Sequence, residues 1–249
     1  MSLSSSSKRN ILFSIALPVW VFVGFMVAQA LVIGVLWALK LVGISTAGLN
    51  ESVYATLVGA LIYTLSLLVV LGLPWLVKRR KVSREELGLQ RLPTWLDILW
   101  APAGAVVYVI LTALVTAFAM AFLTFIDYSQ AQDTGFSQLA TRPEYLLAFF
   151  SLVIVAPVAE EIIFRGYLFG KLRKHAPLWL AILITSALFA FVHGQWNVGL
   201  DVFALSIVLC LLRVVSGSLW PSILLHMLKN GVAFYFLFIN PALLSTLGG

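Results

Sequence analysis

Three short patterns in the second half of the sequence combine residue types that can move protons with spacings that align them. Glu160 and Glu161 stand side by side, with Arg165 four positions after the second; Phe189 precedes His193 by four, and His226 precedes Asn230 by four. All three lie in runs otherwise suited to hydrocarbon. A charged side chain at mid-bilayer costs about 3 kcal/mol on insertion scales, so such residues face a protein interior or a wet cavity and carry function. Residues four apart share a helix face, which lets Glu161 and Arg165 pair. Glu160 points about 100° away from Glu161, so its carboxylate is left free for acid-base work. Pro157, three positions before Glu160, lacks an N–H, so the helix begins or bends there.

Each piece taken singly has a plainer reading. A Glu-Arg pair can simply fix helix packing, a lone intramembrane histidine more often makes a helix-helix hydrogen bond, and Phe189 suits packing better than chemistry. The weight lies on the joint pattern, a double glutamate with two histidines that each have an aligned partner.

The elements that must position these groups are membrane helices. Of the 249 residues, 61% are hydrophobic and 10% charged, with mean hydropathy +1.03. That composition predicts an all-α fold, a polytopic transmembrane helix bundle. At about 20 apolar residues per crossing, spans are expected at 12–39, 53–77, 98–126, 145–169, 178–194, 199–215 and 219–239. Seven is the count, or eight if the first or third run, with Pro18 and Pro102 inside them, hides an extra segment. The chain 1–249 reads as a single integral membrane domain with its motif-bearing core at about 145–240. The first run is too long for a signal-peptide core and predicts a retained helix.

Charge patterning sets the expected orientation. Lys8 and Arg9, then Lys78, Arg79, Arg80, Lys81, Arg84 and Arg91, then Lys171, Arg173 and Lys174 fall at alternate ends of the spans. The positive-inside rule therefore puts the N-terminus in the cytoplasm. The short, charge-poor loops suit a bacterial plasma membrane. Because the basic residues behind the formal charge of +6 sit in these connections, the lipid bilayer is the expected partner and nucleic acid is not. A short interfacial helix is expected within 78–97. Cys210 reads as a core residue, His175 as a surface residue, and Asn50-Glu-Ser52 fits a glycosylation sequon. Loop 127–144, with Asp127, Asp133 and Glu144, shows no recognisable site.

Depth ties the patterns together. At 1.5 Å per residue from the basic ends, Glu160 lies roughly 15 Å deep, His193 roughly 22 Å, His226 roughly 10 Å and Asn230 roughly 16 Å. A carboxylate, two imidazoles and an amide can thus share one slab of the membrane.

The ordered set Glu160-Glu161-x-x-x-Arg165, Phe189-x-x-x-His193 and His226-x-x-x-Asn230 resembles the three signature motifs of the CAAX-protease and bacteriocin-processing family, also called the Abi family. Its eukaryotic members are the type II CAAX prenyl endopeptidases. The resemblance covers about residues 145–240, with a weak echo at Glu86-Leu-Gly-Leu89. It implies peptide-bond hydrolysis inside the membrane without a covalent intermediate, and no serine or cysteine belongs to the polar set as a nucleophile. Under the resemblance Glu160 is the general base, His193 holds and polarises the water, and His226 and Asn230 donate to the oxyanion. Glu161 with Arg165 orients the helix, and Phe189 supports the site. The expected substrate is a membrane-associated peptide or protein. No cofactor is favoured; the competing metal reading is zinc held by Glu160, His193 and His226, a set that leaves a position open for water but lacks the compact H-E-x-x-H spacing.

Two other classes suit some of the same residues. A proton-coupled transporter could relay through Glu160, His193 and Asp201, although the sequence shows no internal repeat of the kind common in such proteins. A non-catalytic bacteriocin-immunity or partner-binding protein could keep the motifs as structure.

Overall fold

A computed structural model describes residues 5–243 apart from 47, 80, 129, 131, 133, 137 and 138, so Arg80 and Asp133 lie outside the described residues. Among the described residues the regular structure is all helical. The α-helical elements are α1 (Ser5–Leu41), α2 (Glu51–Leu67), α3 (Leu73–Lys78), α4 (Arg84–Leu87), α5 (Trp95–Phe122), α6 (Arg142–Phe149), α7 (Ala156–Glu161), α8 (Gly170–Leu172), α9 (Leu178–Phe191), α10 (Trp196–Ser216) and α11 (Trp220–Phe234). Several join into longer rods through π-helical stretches, and the rod Arg142–Leu172 carries the double glutamate.

Among the described residues six stretches are long and apolar enough to cross a membrane: Ser7–Leu41, Glu51–Val77, Trp95–Phe122, Arg142–Leu172, Trp196–Ser216 and Trp220–Ile239. The expected fifth span is α9, whose 14 residues give about 20 Å of rise against a hydrocarbon core of about 30 Å. It stops at Phe191 rather than 194, and Gly194 at φ 72 turns the chain back into α10. The third span ends at Phe122, short of 126. The expected interfacial helix in 78–97 is α4, closed by a capping box between Ser83 and Glu86.

Proline shapes two of the rods. A proline ring collides with the carbonyl four residues back, and widening the turn relieves that clash. The π-helical stretch Leu68–Gly72 runs up to Pro74, and Phe150–Val155 runs up to Pro157. The helix therefore neither begins nor stops at Pro157 but passes through it in a looser register. The freed carbonyls are used: Val70 O accepts the Trp20 indole N–H at 3.1 Å, which ties α1 to the second rod.

The core lies in the second half. Helix α10 packs against α5, α9 and α11, and Val202 and Cys210 on it join Ile163, Phe164, Phe169 and Phe189 in one buried cluster. Ser222 Oγ donates to Leu209 O at 2.9 Å, fixing α11 on α10. The 84–97 segment clips the basic end of this core. Gly88 O accepts Leu219 N–H at 2.8 Å, Gln90 Nε2 donates to Gly217 O at 3.4 Å, and the Trp220 indole donates to Arg91 O at 2.7 Å. A Cβ on Gly166 would come within 3.1 Å of Leu87, so α4 also rests on the rod that carries the motif.

Candidate active site

The two adjacent glutamates have opposite fates, as helical geometry requires. Glu161 is fully buried, and its Oε1 accepts from Arg165 Nη1 at 2.7 Å and from His226 Nδ1 at 2.8 Å. The expected pair of Glu161 and Arg165 is thus present, with His226 as a third member. Among the described residues the second Glu161 oxygen and Arg165 Nε and Nη2 find no hydrogen-bond partner. Instead the Phe189 ring covers the guanidinium, 4.2 Å from centroid to Cζ, and a desolvated cation on an aromatic face gains about 2 kcal/mol. Phe189, expected mainly to pack, also screens the buried charge.

Glu160 keeps 12% of its side chain exposed and faces His226 from the other side, with Oε2 3.8 Å from Nε2. Its Oε1 accepts from the Tyr63 hydroxyl at 2.6 Å. Tyr63 comes from α2, in the half of the chain where no motif was legible. An isolated tyrosine in an apolar run carried no spacing signal, and only the packing of α2 on α7 reveals its partner.

His193 sits in the turn after α9. Its Nδ1 lies 2.7 Å from Phe189 O, and a carbonyl can only accept, so Nδ1 carries the proton and Nε2 keeps a lone pair. The Phe189 ring stands between the imidazoles, 4.8 Å from His193 and 5.9 Å from His226.

Asn230 is held by the π-helical register. In that stretch each N–H reaches five residues back, as Ala156 N–H to Ser151 O shows. The next donor would be Pro157, which has none, so Leu152 O loses its ladder partner. Asn230 Nδ2 donates to it at 2.9 Å, joining α11 to the motif rod and leaving the second amide proton free. Beside this contact an apolar groove of about 530 Å³ runs between the rod and α11, lined by Phe149, Val153, Leu224, Met227, Gly231 and Tyr235 among others.

The structure therefore sets Arg165, His193 and His226 against the Phe189 ring and both glutamates beside His226, while Asn230 of α11 bonds Leu152 O on the rod that carries the glutamates. Among the described residues no three His, Cys, Asp or Glu side chains are grouped closely enough to hold a metal ion. Asp201 belongs to a separate cluster. It pairs with Lys229 at 3.1 Å and accepts from the Tyr108 hydroxyl and from Thr112 Oγ1, the latter at 3.1 Å. The two charges were legible in the sequence; their pairing was not.

Comparison with known proteins agrees with the motif assignment. Residues 142–232 match a family model described as type II CAAX prenyl endopeptidase Rce1-like. The chain is 32% identical over 135 residues to the UPF0177 protein YxdF of Lactococcus lactis, covering 54% of this chain and 70% of that protein. It is 34% identical over 90 residues to a 24.3 kDa protein of Escherichia coli, covering 34% of this chain and 42% of the other. It is 29% identical over 98 residues to the membrane-embedded CAAX protease MroQ of Staphylococcus aureus, covering 37% and 40%. The chain thus spans about two fifths of the length of the last two relatives. No solved structure matches it. With all three motifs present in order and the match covering the helices that carry them, this integral membrane chain belongs to the type II CAAX prenyl endopeptidase Rce1-like family.

Proposed function

We propose that this protein is an intramembrane endopeptidase that hydrolyses a peptide bond of a membrane-associated peptide or protein, with Glu160 as general base. The observation that carries the reading is the division between the two glutamates: Glu161 is sealed by Arg165 and His226, whereas Glu160 stays partly exposed and faces His226 Nε2. A gap of 3.8 Å is too wide for a hydrogen bond, yet one water can touch both atoms at about 2.8 Å. In the proposed reaction the Tyr63 hydroxyl occupies Oε1, so Oε2 of Glu160 takes the water proton. The lone pair on His193 Nε2 accepts the other water proton as a hydrogen bond.

The water oxygen then adds to the peptide carbonyl carbon, and the carbonyl π electrons move onto oxygen. The free amide proton of Asn230 offers a donor to the oxyanion, and His226, whose Nδ1 is held by Glu161, adds a second from Nε2 when both of its ring nitrogens carry a proton. As the intermediate collapses, the C–N bond breaks and Glu160 passes its proton to the departing amine. The groove between the motif rod and α11 offers the substrate an approach from lipid. The basic connections favour a cytoplasmic N-terminus, and the short loops suit a bacterial plasma membrane. The geometry gives less support to a proton relay through Asp201, which is bound by Lys229, Tyr108 and Thr112.

The test is cleavage of membrane-anchored reporter peptides, prenylated and not, by purified protein in lipid. Glu160→Gln is expected to lower turnover by at least about 100-fold, the ordinary loss for a general base, with the protein still folded. Cleavage that survives this change overturns the assignment. Loss on chelation that zinc restores replaces the base reading with a metal-held water.

A further inference from the structure

A second charged feature lies on the clip at the basic end of the core. Arg213, in the last turn of α10, is only 3% exposed. Among the described residues its sealed Nε has no hydrogen-bond partner and no carboxylate forms an ion pair with its guanidinium. Among the described residues the charge acting on it is another cation, Arg173, which is exposed just beyond α8. The guanidinium lies flat against the α4 turn: a Cβ on Gly88 would come within 2.5 Å of Arg213 Cζ, and Gly88 itself sits at φ 83. The turn thus leaves out a side chain where the guanidinium packs.

Burying a guanidinium without a counter-charge is costly, and the C-terminal end of α10 offsets only a fraction of that cost. A second arginine beside it adds repulsion. Both terms reverse if an anion bridges the two groups, and the planar fork of arginine fits a phosphate with two parallel hydrogen bonds. Basic pockets between membrane helices are where lipid headgroups are held. We infer that Arg213, Arg173 and the Gly88 turn form a binding site for a phosphate oxyanion at the membrane surface. The bound anion fastens α4 and the α10–α11 turn together at the foot of the rod that carries Glu160. This site does not depend on the protease reading, since its evidence is the unpaired buried cation.

The experiment is thermal unfolding of the full chain in neutral detergent, titrated with phosphatidylglycerol, with inorganic phosphate and with a phosphate-free galactolipid. Phosphatidylglycerol is expected to raise the midpoint in a saturable way, and the galactolipid is not. Arg173→Gln removes the repelling charge, so it is expected to raise the midpoint without anion slightly and to weaken the anion-dependent rise about fivefold. Arg213→Lys keeps the charge but loses the fork, and is expected to weaken it more. A matching rise with inorganic phosphate supports the site and identifies the free ion as its ligand. Equal shifts in wild type and Arg173→Gln, or a galactolipid that does as well as phosphatidylglycerol, overturn the proposal, and Arg173→Gln decides it even if the Arg213 variant fails to fold.

Discussion

Two of the ionic clusters among the described residues, that of Glu161 and that of Asp201, are built on different plans. In one, Glu161 and Arg165 are sealed and His226 nearly so, under the ring of Phe189. In the other, Asp201 and Lys229 keep 32% and 14% of their side chains exposed, and two hydroxyls from α5 share the carboxylate. A sealed pair depends on its partner, because removing either half strands a charge in a low-dielectric interior. A partly open pair can be solvated when broken, and its loss is cheaper. The first cluster is therefore a fixed frame for the reactive groups, and the second a clasp between α5, α10 and α11.

The difference can be broken most sharply at Arg165. Arg165→Ala is expected to cost about 3–5 kcal/mol, as stranded buried charges do, read as a large fall in the unfolding midpoint in detergent. A loss below about 1 kcal/mol would place the two clusters in one class. Asp201→Asn is expected to cost about 1–2 kcal/mol, since hydrogen bonds from Tyr108 and Thr112 survive in weaker form; a loss matching that of Arg165→Ala would erase the contrast. Tyr63→Phe sharpens the comparison from the side of Glu160. It removes one hydrogen bond to a partly exposed carboxylate, so stability should fall by about 1 kcal/mol or less. Cleavage should slow by about tenfold, if fixing Oε1 is worth roughly 1.4 kcal/mol in the transition state. A Tyr63→Phe variant with full turnover would show that Glu160 needs no such support.

Much of this was legible in the sequence because it was local. Spacings of four residues placed Glu161 with Arg165 and Phe189 with His193, and both pairs are in contact. Hydropathy located the long spans to within a few residues, with errors where a glycine turn or a short helix ended a run early. The partners contributed from a distance were not legible. Tyr63 is 97 positions from Glu160, and the hydroxyls on Asp201 are about as far from it. No periodicity links an α2 or α5 side chain to the second half of the chain. His226 showed a different limit: its aligned partner Asn230 was legible, but the bond from His226 to Glu161 requires two helices to be docked. The looser register before Pro157 was also hidden, because a proline signals a break without saying how the chain absorbs it.

That register has a consequence for how the chain can vary. Leu152 O is open to α11 because the residue that would have claimed it has no hydrogen to give, and Asn230 is the side chain that answers. Replacing Pro157 with a residue that carries an N–H would let the backbone reclaim the carbonyl and turn the amide out. Replacing Asn230 alone would leave the carbonyl bare in an apolar wall. The two positions thus constitute one requirement of the fold recorded at separate points of the chain, and joint substitution should cost less stability than either single change, although cleavage still loses the Asn230 donor.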